Sequence, residues 1–332
     1  RLGFSDTRGT LFFEVERILK EKKPYGFVLE NVEGLVNHDR ENPKDKMGRT
    51  LSTILRHLED LGYKVTWKVL NAKYFGVPQE RKRIYIVGTI CDYPNLSSFN
   101  HHSKVLGDIL ETGLETEHSE FIDNLLSHYT IDELEGKSIK DKRGGENNIH
   151  SWDIEMKGSV SREQRDLLNC MLKERRKKKW AEEYGIDWMD GMPLTLENIR
   201  SFYYHPELEE LLNDLVKKVD NHREYDTSLP KGYNIVAGKM SFEISRIMGR
   251  DDIAPTLVAM DMQHLYVTDG SGVRKLSLRE GLRLFGYPDD YKLNVERNLG
   301  YDLLGNTVVV PVIAEVSSRV LDIYCSDGGT SK

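Results

Sequence analysis

The stretch Gly26 to Val32, GFVLENV, sets a carboxylate and an amide immediately after a short apolar run. In an open parallel sheet, residues just past the carboxyl ends of the strands line the ligand crevice, so Glu30 and Asn31 stand where chemistry is usually done. A later stretch, Gln79 to Val87 (QERKRIYIV), leads into a second apolar run with Arg81 and Arg83 two positions apart. If that segment is extended, both arginines project to one face while Glu80 and Lys82 take the other. One carboxyl group and two guanidinium groups could then converge on a polar, planar substrate. Without further context, a Glu-Asn pair after a strand is more often a cap or turn, and arginines at a strand entry are as often a solvated ion pair.

The elements that must position these residues alternate. Thr10 to Lys22 spaces Phe13, Val15, Ile18 and Leu19 at helical intervals and is expected to end before Pro24. Gly26 to Leu29 reads as a buried strand, Leu51 to Leu61 as an amphipathic helix, and Tyr63 to Leu70 and Arg83 to Thr89 as strands. Such alternation predicts a parallel or mixed sheet with helices on its faces. From about His101 to Arg274 charge rises and the alternation stops. Two helices stand out there: Ser161 to Trp180, opened by Ser161 with Gln164 three on, and Pro206 to Val219. Towards the end, Ser277 and Glu280 predict a capping box, Gly286-Tyr287-Pro288 a helix stop, and Thr307 to Tyr324 a long closing helix.

Six stretches in order resemble conserved blocks of the cytosine-C5 DNA methyltransferases. They are RGTLF (Arg8 to Phe12), GFVLENV, NAKYFGVP (Asn71 to Pro78), QERKRIYIV, SLREGLRLFGYP (Ser277 to Pro288) and GNTVVVPV (Gly305 to Val312). Any one alone is weak, but the ordered set is specific. The resemblance implies an α/β fold: an incomplete Rossmann-like, S-adenosylmethionine-dependent methyltransferase domain carrying an inserted α+β target-recognition domain. It implies domain limits of 1–100 for the catalytic part, 101–274 for the recognition insert and 275–332 for the return to the catalytic domain. The family's glycine-rich cofactor block and its Pro-Cys nucleophile have no match. The cysteines are Cys91, Cys170 and Cys325, and none follows a proline. The expectation is therefore a carboxyl-terminal portion, either a fragment or one subunit of a split enzyme, inactive alone and completed by a missing amino-terminal part or partner.

Roles follow from the same resemblance. Glu30 is expected to protonate or hold ring nitrogen 3 of a flipped cytosine, desolvated enough to keep a proton near neutrality, with Asn31 orienting it. Arg83 is assigned to the substrate carbonyl oxygen and to the carboxylate, and Arg81 to phosphate or the nucleophile loop. Leu11, Asn306 and Thr307 match positions lining S-adenosylmethionine. Gln79 and Thr256 are candidates for DNA contact, as are Lys173, Arg175 and Arg176 in the basic run KERRKKK, where the plainer reading is a solvated helix face. Arg279 and Glu280 are read as structural.

Composition sets outer limits. In 332 residues, 39% hydrophobic and 30% charged, there is material for a substantial core. The net charge of -7 lends no support to a nucleic-acid partner by itself, and local distribution must decide. No apolar run is expected to reach bilayer length, three unpaired-looking cysteines fit a reducing compartment such as bacterial cytoplasm, and no histidine-cysteine spacing predicts a metal. The expected partner is double-stranded DNA in a restriction-modification setting. The alternatives are a non-catalytic specificity subunit and a tRNA-directed enzyme.

Overall fold

The computed structural model describes residues 11–326, apart from 43, 141–146, 157, 189–190, 219–220, 225–231, 236–241 and 259–260. In chain order the first elements are α1 (Leu11–Lys22), β1 (Gly26–Val32), α2 (Arg49–Asp60), β2 (Lys64–Asn71) and β3 (Lys82–Thr89). There follow α3 (Glu120–His128), α4 (Ile131–Leu134), β4 (Ser138–Ile139), β5 (Asn148–Ile149), α5 (Arg162–Glu174), α6 (Lys179–Tyr184), α7 (Leu196–Arg200) and α8 (Leu208–Lys218). The chain closes with β6 (Asn221–Glu224), β7 (Gly232–Ile235), β8 (Arg246–Met248), β9 (Leu265–Asp269), β10 (Gly272–Lys275), α9 (Leu278–Leu284), α10 (Arg297–Gly305) and α11 (Val310–Ser326).

Two compact units result. The first comprises residues 1–110, 251–262 and 277–332, the second residues 111–250 and 263–276. Relative to the 101–274 limits read from sequence, residues 101–110 and 251–262 go with the first unit.

In the first unit β3 lies between β1 and β2 and is antiparallel to both. This corrects the open parallel arrangement on which the crevice argument rested. The connection from β2 to β3 is only residues 72–81, too short for a helical crossover, so the chain reverses direction. β1 also runs three residues further than expected, so Glu30 and Asn31 lie inside the strand. Leu51, Leu58 and Ile54 of α2 pack with Phe27, Val65, Ile84 and Ile86 of the sheet to form this unit's core. α11 packs on β1 and β3.

In the second unit the strand order is β10-β9-β8-β4-β5, with mixed pairing. Its helices gather a separate core around Trp152, Leu167, Leu168, Met171, Trp180, Leu212 and Tyr233. The helix expected over Ser161 to Trp180 has the Ser161–Gln164 capping box but breaks after Glu174. There the Trp180 indole N–H donates to the Glu174 carbonyl at 2.8 Å, closing the helix end.

Residues 297–324 correct the expectation about apolar runs, since by length and composition they pass as a span. They fold as α10 and α11, with Tyr301, Leu304, Val309, Val312 and Val316 buried.

Candidate active site

The β1–β3 register sets Glu30 opposite Tyr85 and Val32 opposite Arg83. Arg83 is thus the diagonal neighbour of Glu30 on one face, within reach of a long side chain. Its Nε lies 3.1 Å from Glu30 Oε1, and the two side chains are 14% and 25% exposed. Arg83 Nη1 also donates to the Lys82 carbonyl at 2.8 Å, which fixes the plane of the fork. Below them Tyr85 is buried, and burial, with the Glu30 charge adding to it, pushes its hydroxyl up to about 12. The pair therefore stands on an apolar floor with a neutral phenol.

Arg83 opens into a cleft of about 390 Å³ that is also lined by Val32, Glu33, Gly34, Glu80, Lys82 and Thr256. The far wall is strapped on by backbone. Glu80 N–H donates to the Ala254 carbonyl at 2.8 Å, and Thr256 Oγ1 donates to the Glu80 carbonyl at 2.7 Å. Thr256 thus reaches the cleft while its hydroxyl proton is committed to the wall. Asn31 is exposed, and its Oδ1 accepts from the Val32 N–H at 2.8 Å, so it shapes the end of β1.

Two expected site residues have structural roles instead. Gln79 is fully buried; its Nε2 donates to the Leu284 carbonyl at 2.9 Å and its Oε1 accepts from the Leu257 N–H at 3.4 Å. Both ends of its amide are engaged inside the fold, which leaves no exposed surface for DNA. Arg81 is 6% exposed, donates to the carbonyls of Leu257 at 3.0 Å and Thr307 at 3.1 Å, and lies over the Phe285 ring. Burial, then the charge of Arg83, lowers its pKa, but a guanidinium starts so high that it stays a cation. Buried against carbonyls, it ties the Leu257 and Thr307 segments to the start of β3.

The expected methyl-donor positions lie at element ends. Leu11 opens α1 and is 64% exposed. Asn306 caps α10, donating its amide to the Asp302 carbonyl at 2.9 Å, and Thr307 shares a 2.7 Å hydrogen bond with the Tyr287 hydroxyl. None of the three lines the cleft beside Arg83. By themselves these three contacts do not make a cradle for S-adenosylmethionine.

In the second unit, Lys173 is exposed near the end of α5. Arg175 lies so close over Gly191 that a Cβ there would meet its guanidinium, and the Arg176 carbonyl accepts from the Trp188 indole at 3.1 Å. Lys177 and Lys179 both pair with Glu174. Part of the basic run is therefore neutralised locally. Among the described residues no group of three or more His, Cys, Asp or Glu is placed to hold a metal ion. Cys91 is exposed; the Cys170 thiol is pushed up by burial, which makes it a poor nucleophile.

Sequence reasoning missed Lys82 as part of the pocket lining and Tyr85 as the buried neighbour of the Glu30–Arg83 pair. The signal was present, because Lys82 alternates with Arg83 at the strand entry and Tyr85 lies two residues on from Arg83, on its face.

A profile for C-5 cytosine-specific DNA methylases matches residues 1–322. The Type II methyltransferase M.NlaIV of Neisseria lactamica is 61% identical over 97% of this chain and 78% of its own length. M.NgoBV of Neisseria gonorrhoeae is 59% identical over the same shares, and M.BanI of Aneurinibacillus aneurinilyticus is 40% identical over 95% and 75%. Among solved structures, the S. pombe Dnmt2 methyltransferase superposes with a TM-score of 0.47 at 15% identity, over 96% of this chain and 71% of that one. On the profile match and these identities, the chain belongs to the C-5 cytosine-specific DNA methylase family, whose members take their methyl group from S-adenosylmethionine.

Proposed function

We propose that this chain binds a cytosine swung out of duplex DNA and holds it for methylation at carbon 5, with Glu30 on the ring-nitrogen edge and Arg83 on the carbonyl oxygen. The observation that carries the reading is the Glu30–Arg83 pair, 3.1 Å apart, with Arg83 lining a cleft. Carbon 5 of cytosine is a weak nucleophile, and transient addition of a thiolate at carbon 6 makes it electron-rich. That addition sends charge into the ring. Glu30 would share a proton with nitrogen 3, and the planar Arg83 fork would hold the carbonyl oxygen as charge builds there. S-adenosylmethionine supplies the methyl group. The target atom is inaccessible in a stacked duplex, so the base must leave the helix, and contacts in the pocket offset lost stacking.

None of the chain's cysteines follows a proline, so the attacking thiolate is assigned to residues outside these 332. The second unit is assigned to target recognition, with Lys173, Arg175 and Arg176 as phosphate contacts; Thr256, in the first unit, is assigned to the edge of the base pocket. The similarity to Type II methyltransferases supports sequence-specific modification of duplex DNA alongside a restriction enzyme in the bacterial cytoplasm. The test is to incubate the enzyme, completed with the residues that supply the thiolate, with a random duplex library and labelled S-adenosylmethionine and map the modified bases. The reading predicts 5-methylcytosine within one short motif; methylation of another base, or of cytosine in RNA only, contradicts it.

A further inference from the structure

A second groove, about 410 Å³, runs along the outer edge of β2 and shares Glu33, Glu80 and Lys82 with the cleft beside Arg83. Its walls combine cations with aromatic faces. Tyr74 and His101 stack with ring centres 5.2 Å apart and planes 23° from parallel, and Tyr74 is 43% exposed. The Lys73 ammonium lies over the Tyr74 ring at 5.4 Å, and Lys68 over Phe99 at 5.8 Å. The platform is held rigid by backbone: His102 N–H donates to the Tyr74 carbonyl, and Gly76 N–H to the His102 carbonyl, both at 2.9 Å. Of the two carboxylates in the groove, Glu80 is neutralised by Lys73 at 3.3 Å, which leaves Lys68 and Lys82 against Glu33.

Cations beside a preformed aromatic platform are what a single nucleic-acid strand requires: ammonium groups for its phosphates and a flat ring for an unpaired base. Resting on the cytosine-pocket reading above, we propose that this groove is a subsite for the nucleotide next to the extruded cytosine. Its phosphates meet Lys68 and Lys82, and its base stacks on Tyr74 and His101. A strand whose cytosine enters the cleft must leave by one of the cleft's rims, and Lys82 belongs to both.

The test uses the enzyme completed with the residues that supply the thiolate and two target duplexes, one with long flanks on both sides and one ending at the target cytosine. Lys68→Gln should reduce the slope of log affinity against log salt by about 1 on the long duplex, and Lys68→Arg should restore it. Tyr74→Ala should weaken the long duplex about tenfold and leave the truncated one unchanged on the side the groove serves. In the unaltered enzyme, 5-iodouracil placed beside the target should crosslink under ultraviolet light to Tyr74 or His101, read by mass spectrometry. Crosslinks confined to other residues, or equal effects of folded variants on both duplexes, overturn the subsite. If instead the unaltered enzyme modifies no cytosine, the pocket reading itself fails, while the crosslink still reports whether a strand occupies the groove.

Discussion

Arg83 and Arg81 share a side chain and a local motif, yet the fold gives them different work. Arg83 faces a cleft and a carboxylate, whereas Arg81 is enclosed by carbonyls and a phenyl ring. The two should respond differently to substitution. Arg83→Lys keeps the charge but loses the planar fork, and is expected to lower kcat/KM about 100-fold with little change in melting temperature. Gln79→Ala strands the Leu284 carbonyl and the Leu257 N–H in the interior, and is expected to cost about 2 kcal/mol of stability without altering the recognised DNA motif. Urea denaturation beside steady-state kinetics separates the two; a Gln79→Ala enzyme of normal stability with a changed motif would restore its assignment as a DNA contact. Glu30 and Arg83 were legible as a pair because their distance depends only on two neighbouring strands. The true partners of Gln79 and Arg81 were not, since they lie 176 to 226 residues away in sequence.

At the scale of elements, most helices and strands of the first unit lay within a residue or two of where periodicity and caps set them, Ser277 with Glu280 included. Strand direction was not legible, because alternation of apolar residues reports which face is buried and is silent on the direction of a neighbour. The central strand carries one demanding position. Gly88 pairs with Phe27, whose ring lies over it edge-on to Tyr63, and a Cβ at 88 would come within 2.5 Å of the Phe27 ring carbons. Gly88→Ala should force the ring off this seat and destabilise by about 2 kcal/mol, seen as a lower urea midpoint at unchanged slope. An unchanged midpoint would show that Phe27 can move freely. In the second unit, β9 and β10 are joined by Arg274, 2% exposed, whose Nε is 2.8 Å from Asp269 Oδ2, while the Gly113 and Leu114 N–H groups donate to the same carboxylate. Burial alone would raise the Asp269 pKa; the Arg274 hydrogen bond and these backbone donors outweigh it, and the net shift is downward. The unfolded chain therefore takes up this proton more readily than the folded one. The contribution is complete above about pH 4 and is lost as pH falls through the lower folded value. Asp269→Asn should be less stable than the parent at pH 7 and lose most of that difference in strong acid; a constant difference across pH would refute the ion-pair account.

At the scale of the whole molecule, a net charge of -7 coexists with a family whose substrate is a polyanion. The balance is local: lysines and arginines gather at the Arg83 cleft and the β2 groove, while elsewhere Glu174 offsets part of the basic run. Each unit keeps its own apolar core, so substitutions in the second unit should leave the β1–β3 pair undisturbed, and on the recognition role proposed for that unit they should change the DNA motif. The central claim is that one carboxylate and one guanidinium on adjacent strands handle the extruded base. It is tested most directly by measuring covalent trapping on duplex DNA that carries a mechanism-based cytosine analogue at the target, for the enzyme completed with its thiolate-bearing residues and for the Glu30→Gln variant of that enzyme. The account predicts near-equal duplex affinity and trapping slowed by about 100-fold in the variant. Trapping at the unaltered rate would contradict it.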